Sequence, residues 1–237
     1  MDDDRLIELA GRIAGLERSI ERLQTIEIGS GTWTSWTPIT AAATYVSASS
    51  FTLVGDHTAY LKLGTKVKLT NSTVKYGYVL SSSYSSPNTT VNLVPNSSYS
   101  LASGTITGVN ISYANPPDFP VWLNFTSTIT GFSDLTSMPL QFKIDGNLLT
   151  ISTYIISGTS NATTITFTVP VLPAENYLPY IAFVPVRDNG AMSTTPGHIA
   201  RLTGESVLVA YKSWFGGSFT TSGQKSIWLN TVVNYRI

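Results

Sequence analysis

Residues 66–80 read Lys-Val-Lys-Leu-Thr-Asn-Ser-Thr-Val-Lys-Tyr-Gly-Tyr-Val-Leu, and their alternating pattern indicates the fold class. Val67 and Leu69 alternate with lysines, and the alternation resumes at Val74 after Asn71-Ser72. An apolar side chain at every second position is typical of a β-strand with one buried face. Asn and Ser between two such runs favour a tight turn. The stretch therefore predicts two adjacent antiparallel strands.

The same period of two continues along the chain on either side of this stretch. Val91 and Leu93 share one face of a further strand, after a turn signal at residues 85–88. Short strands at this spacing predict a small antiparallel barrel or sandwich over residues 32–120. Residues 116–120 contain three prolines, which cannot continue a strand ladder. We therefore place a domain boundary after residue 120.

Residues 121–237 are predicted to form a second antiparallel β domain, a sandwich. Residues 141–144 and 148–156 read as a hairpin that turns at Asp145-Gly146. Alternation at 165–169 and at 207–211 predicts two more strands. Residues 226–237 read as one final strand held in a sheet. The predicted fold class is all-β, behind a short helical stem.

The stem is a predicted coiled-coil helix within residues 1–31. Its apolar residues follow the 3,4 spacing of a coiled-coil seam, with a positions at Leu6, Ile13 and Ile20 and d positions at Leu9, Leu16 and Leu23. Isoleucine at a with leucine at d favours a dimer on core shape. Arg12 and Glu17 instead occupy g and the following e position, and residues 12–17 resemble a short signature of three-stranded coiled coils. We predict a parallel homotrimer; the alternative is an amphipathic helix packed on its own domain.

Charge and composition exclude several classes of partner. Only 12% of the residues are charged, about half the usual share, and there is no cysteine. Residues 1–28 carry seven acidic and four basic side chains, and the remaining charges are too sparse to form a basic stripe. No apolar run reaches the ~18 residues of a membrane span. We expect no nucleic-acid partner and no membrane insertion.

Catalytic chemistry is not predicted. The two histidines, His57 and His198, lie far apart, and no Gly-x-Ser-x-Gly motif occurs. Glycoside cleavage needs two carboxylates, for which only Glu175 and Glu205 remain as a candidate pair. We therefore expect a protein that is not an enzyme and has no cofactor and no metal. A polysaccharide depolymerase, and a metal held by three His198 side chains on a threefold axis, stay as alternatives.

Aromatic side chains near the C-terminus are candidates for carbohydrate binding. They are Tyr211, Trp214, Phe215 and Trp228. Sugar faces stack on aromatic rings, and hydroxyl and amide neighbours can bind the sugar edges. The alternative is that these rings fill the core or the trimer seam. Trp33 and Trp36, just after the stem, are predicted to pack the stem onto the body.

Several segments resemble known proteins. Residues 51–56, 63–70, 74–79, 82–91 and 111–120 resemble a module recurrent in tail-fibre and related proteins of tailed bacteriophages. Residues 156–163, 188–190 and 222–226 are similar to the terminal β domains of phage fibres.

This resemblance implies a parallel homotrimer on the virion, made in the host cytoplasm and acting outside the cell. It implies a stem docked on other virion proteins and a distal domain that binds a host-surface glycan. A purely structural head fibre, decoration protein or baseplate protein is the alternative.

Overall fold

A computed structural model describes residues 36–152, 155–173, 182–201, 207–213, 216–229 and 233–237. The predicted stem over residues 1–31 lies outside these ranges, with all its heptad positions, and so does Trp33. Every helix or strand within the described ranges is a β-strand. The all-β class is therefore confirmed, while the coiled coil and the trimer stay predictions.

The first sheet closes into a barrel. Its strands are β1 (Thr37–Pro38), β2 (Ala43–Ser47), β3 (Ser50–Val54), β4 (Lys66–Asn71), β5 (Thr73–Ser85), β6 (Asn88–Leu93) and β7 (Thr105–Ser112). They are ordered β1-β7-β2-β3-β6-β5-β4, and a further pairing of β4 with β7 closes six of them. The two strands predicted from residues 66–80 are β4 and β5, joined through Ser72 in the left-handed region at φ 59°. The sequence did not distinguish a barrel from a sandwich for residues 32–120, and the structure shows a barrel.

Apolar side chains fill the barrel, as expected for a barrel this narrow. Those of Phe51, Leu53, Val79 and Val91 are fully buried. Val67 lies opposite Gly77 in the β4–β5 register, so residues 77 and 79 of β5 face the interior. Tyr78 therefore lies on the outer face, where it is also buried. Strand β5 thus serves two cores, one on each face.

The second part of the chain forms two further antiparallel sheets. One contains β8 (Leu123–Thr130), β9 (Ser137–Asp145), β10 (Leu148–Ser152), β12 (Ile165–Phe167), β13 (Ala182–Val184), β16 (Gly197–Ala200), β17 (Leu208–Tyr211) and β19 (Val233–Arg236). It is curled, in the order β13-β16-β17-β12-β8-β9-β10-β19. The other contains β11 (Ile156–Thr159), β14 (Val186–Asp188), β15 (Ala191–Met192) and β18 (Gln224–Ile227), in the order β11-β18-β14-β15. Both sheets supply side chains to one buried cluster, which confirms the β-sandwich or barrel character.

Three details of the predicted strands are wrong. Asp145 pairs with Leu148, so the hairpin turns at Gly146-Asn147 and not at Asp145-Gly146. The predicted strand 148–156 is divided between β10 and β11, and the predicted strand 226–237 is divided between β18 and β19. In both cases the two halves belong to different sheets, and period-two alternation cannot reveal such a change. The prediction that the C-terminal strand is held in a sheet is confirmed, because β19 pairs with β10.

The proline-rich segment between β7 and β8 is fastened to the barrel. Asp118 accepts hydrogen bonds from Trp36 Nε1 at 2.7 Å and from Lys68 Nζ at 2.5 Å. The ring of Phe119 packs on those of Trp36 and Tyr78, with centroid separations of 6.1 and 5.1 Å. Trp36 therefore contacts the body, and its predicted contact with the stem stays a prediction.

The junction beyond this segment joins the barrel to the second part of the chain. Tyr78 reaches Phe142 of β9, with ring centroids 6.3 Å apart. Tyr78 and Phe119 belong to the same buried cluster as the two C-terminal sheets. The hydrophobic core is therefore continuous across the proline-rich segment.

Candidate functional site

The four predicted carbohydrate-binding residues divide into two pairs. Trp214 and Phe215 lie outside the described residues. Tyr211 and Trp228 are both half-buried, but they belong to different sheets. No ring contact joins these two aromatics in the described part of the chain. Each therefore has its own surroundings.

Tyr211 is held by a buried histidine. It lies opposite His198 in the β16–β17 register, and the two rings stack with centroids 4.9 Å apart and planes 17° apart. His198 Nδ1 lies 2.7 Å from the carbonyl oxygen of Ser213, which can only accept a hydrogen bond. His198 Nδ1 therefore donates, and the imidazole fixes one face of the Tyr211 ring.

A row of four side chains, polar except for Met192, crosses the four-stranded sheet. Ser157 lies opposite Ser226, Ser226 opposite Arg187, and Arg187 opposite Met192. Residues directly opposite one another in an antiparallel sheet share a face. The row thus occupies one face of all four strands, and the Ser157 and Ser226 hydroxyl oxygens are 2.8 Å apart.

The opposite face of this sheet packs into the core. The residues before Ser157, after Ser226 and before Arg187 are Ile156, Ile227 and Val186, and all three are buried in the shared cluster. Alternation then places the Ser157–Met192 row on the outer face. Exposure agrees at both ends of the row, where Ser157 is exposed and Met192 is 55% exposed, whereas Arg187 is half-buried and Ser226 between them is buried.

Trp228 completes this outer face. Its backbone N–H donates to the Pro185 carbonyl at 3.1 Å and so extends the β14–β18 ladder. The guanidinium carbon of Arg187 lies 5.7 Å from the centroid of the Trp228 ring, within cation–π range. Thr159 and Gln224 form another exposed cross-strand pair on the same side. We call these seven residues the outer face: Ser157, Thr159, Arg187, Met192, Gln224, Ser226 and Trp228.

Asp188 and Lys225, the other charged residues of β14 and β18, lie on the opposite face of the sheet from Arg187. Asp188 is buried and accepts from Lys212 Nζ at 2.8 Å and from Thr220 Oγ1 at 2.8 Å. Burial alone would raise the pKa of the Asp188 carboxyl, but the hydrogen bonds from Lys212 and Thr220 outweigh it and the pKa is lowered. Asp188 is thus a fixed, ionised structural group.

Lys225 is fully buried beside this carboxylate. Its Nζ donates to the carbonyl oxygens of Ala162 at 2.7 Å and Thr164 at 3.1 Å, between the rings of Phe132 and Phe219. Burial lowers the pKa of the Lys225 amine to about 8, and the Asp188 charge opposes this shift. The charged groups of Asp188 and Lys225 are therefore engaged in hydrogen bonds within the protein. The outer face remains as the candidate site.

Sequence reasoning singled out Trp228 but missed Arg187. The guanidinium meets the indole only because β14 and β18 are neighbours in the sheet, although β15, β16 and β17 separate them along the chain. No short motif contains both residues. A search for basic residues at alternate positions in predicted strands could have found Arg187, but not its partner.

The described residues add no support for the two alternatives, glycoside cleavage and metal binding. Glu175 and Glu205, the candidate carboxylate pair, lie outside them. No group of three or more His, Asp or Glu side chains in the described ranges is placed to hold a metal ion. Within the same ranges, no helix is long and apolar enough to cross a membrane.

No protein-family model matches the sequence, and no curated protein matches it.

Proposed function

We propose that the chain is a virion appendage protein of a tailed bacteriophage, a tail fibre or a fibre-like protein. In this proposal three parallel copies join through the N-terminal stem, which docks on other virion proteins. The C-terminal region binds a glycan on the host surface. The resemblance of residues 32–120 to a tail-fibre module supports the virion role. The residues on the outer face of the four-stranded sheet support the proposal that the chain binds a glycan.

The observation that carries glycan binding is the composition of this face around Trp228. A half-exposed indole can stack on the apolar face of a sugar ring. Hydroxyl, amide and guanidinium groups of Ser157, Gln224 and Arg187 lie on the same side to bind its hydroxyls. The buried carboxylate and amine of the same strands are engaged inside the protein. The site is therefore suited to binding rather than to bond cleavage.

Trivalency would make a weak site sufficient. Sugar sites this open bind weakly one at a time, but three on one trimer can gain avidity of order 10²-fold or more when the geometry lets them engage together. A repeated glycan on a bacterial surface offers that geometry.

Binding of the labelled full chain to a panel of bacteria tests this function. We expect some strains to stain, and Trp228→Ala to reduce staining at least about tenfold because the stacking platform is lost. Trp122→Ala is the matched control, since Trp122 is also half-buried and lies 5.7 Å under a cation, that of Lys143. Staining that survives Trp228→Ala unchanged would contradict the proposed site.

A purely structural role is the second candidate. The core that continues from Tyr78 through Phe119 to Phe142 suits a spacer that transmits load between virion parts. Absence of staining on every strain of the panel would favour this role over glycan binding.

A further inference from the structure

Arg187 differs from the other basic side chains of the two C-terminal sheets. Lys143 pairs with Asp145 at 3.3 Å, Lys212 pairs with Asp188 at 2.8 Å, and Lys225 donates to two carbonyl groups. Arg187 forms no ion pair and donates no side-chain hydrogen bond to any residue that the structure describes. Its positive charge has no counter-ion in this part of the chain.

The guanidinium, which has no ion pair among the described residues, is nevertheless held in place. It lies over the Trp228 ring, and its Nε is screened from solvent without an acceptor. A screened donor without a partner destabilises the folded state, and more so when the group is charged. The side chain as a whole stays partly exposed. An arriving anion could therefore reach the exposed part of the side chain, but not the screened Nε.

The outer face carries no negative charge that would repel an anion. None of its seven residues is acidic. The nearby carboxylate of Asp134 lies at the β11 edge, where both of its oxygens accept from Thr159 at 2.8 Å. Strand β18 separates β11 from β14, so that edge is roughly 10 Å from Arg187 at ~4.8 Å per strand.

We propose that the outer face recognises an acidic sugar, one that carries a carboxylate or a phosphate. The sugar ring stacks beside Trp228, its oxyanion accepts from the Arg187 guanidinium, and its hydroxyls meet Ser157 and Gln224. Arginine presents a planar fork of donors that fits both oxyanions. This inference rests on the proposed function and names the ligand class for the same site.

The test uses the full chain and immobilised bacterial surface polysaccharides. Uronic-acid polymers are compared before and after carboxyl reduction, and phosphate-bearing wall polymers before and after dephosphorylation. We expect wild-type affinity for one class to fall at least tenfold when its charge is removed, and the class affected identifies the oxyanion. Binding should also weaken as salt rises.

Variants assign the effect to Arg187. Arg187→Gln should bind the charged polymer about tenfold or more weakly and no longer distinguish it from its neutralised form. Arg187→Lys keeps the charge without the fork and should be intermediate. Lys143→Gln removes one positive charge elsewhere in the same region and should bind like wild type.

The outcomes separate this inference from the function on which it rests. Equal wild-type binding to native and neutralised polymers, lost in Trp228→Ala, would overturn the acidic ligand and leave glycan binding intact. Unchanged binding by Arg187→Gln would overturn the role of Arg187. Failure to bind any polymer or any strain would overturn the inference together with glycan binding.

Discussion

Replacing Gly64 by alanine should lower the free energy of unfolding by about 2–6 kcal/mol. Gly64 has φ +80°, where side chains other than hydrogen are strained. An added Cβ would also clash with the backbone carbonyl oxygen of Gly146 and lie 3.3 Å from Ile144 Cγ2. A backbone oxygen cannot move aside as a flexible side chain can. The barrel and the β9–β10 hairpin would have to separate.

Gly55→Ala is the matched control for this clash. Gly55 has a similar φ of +96°, but an added Cβ would meet only His57 Nε2, at an ordinary 3.5 Å. It should cost only the conformational strain, about 1–3 kcal/mol. Urea denaturation of both variants measures the difference. Equal losses would mean that the barrel does not contact the hairpin as closely as described.

Raising the pH from about 8 to about 10 should stabilise the fold through Lys225. Burial lowers the folded-state pKa of Lys225 to about 8, whereas the unfolded side chain keeps its proton to about 10.5. In this window the unfolded chain binds more protons than the folded one, so stability rises with pH. One proton corresponds to a slope of at most about 1.4 kcal/mol per pH unit.

Other groups set the limits of that window. Burial also lowers the pKa of Lys66, which adds a contribution of the same sign. Burial raises the pKa of Tyr78 to about 12 and raises that of Tyr235, so above pH 10 both tyrosines oppose the trend. The contribution of Lys225 is therefore obtained by difference from a variant.

Lys225→Met removes the titrating amine and keeps an apolar stem between the two phenylalanine rings. Its free energy of unfolding, measured by urea denaturation at pH 8, 9 and 10, should rise less steeply with pH than that of wild type. The two slopes should differ by at most the contribution of one proton, about 1.4 kcal/mol per pH unit. Lys143→Met is the control for removal of a lysine, since Lys143 is half-buried and pairs with Asp145 at 3.3 Å. Parallel curves for wild type and Lys225→Met would show that Lys225 keeps its proton in the folded state.

Sequence patterns predicted the parts of the fold that depend on local alternation. Val67 and Leu69 do face a barrel core, and Asn71-Ser72 does mark the β4–β5 turn. The C-terminal strand does enter a sheet. In each case one face is buried over several residues, so the period of two survives in the sequence.

Features that depend on which strands become neighbours could not be predicted. Tyr78 belongs to the second core because the proline-rich segment returns Phe119 to the outer barrel face. Arg187 reaches Trp228 because β14 and β18 pair across a long separation in sequence. Such pairings are set by the whole fold and leave no local signal. Trp214 and Phe215 stay predictions, as do the heptad positions of the stem.

The solution mass of the full chain, measured by light scattering, tests the trimeric appendage most directly. One chain has a mass of 25.6 kDa. We predict a mass near three times that value, for three chains joined through the stem. A mass of a single chain at micromolar concentration would contradict it, because neither the predicted coiled coil nor the avidity of three glycan sites could then exist.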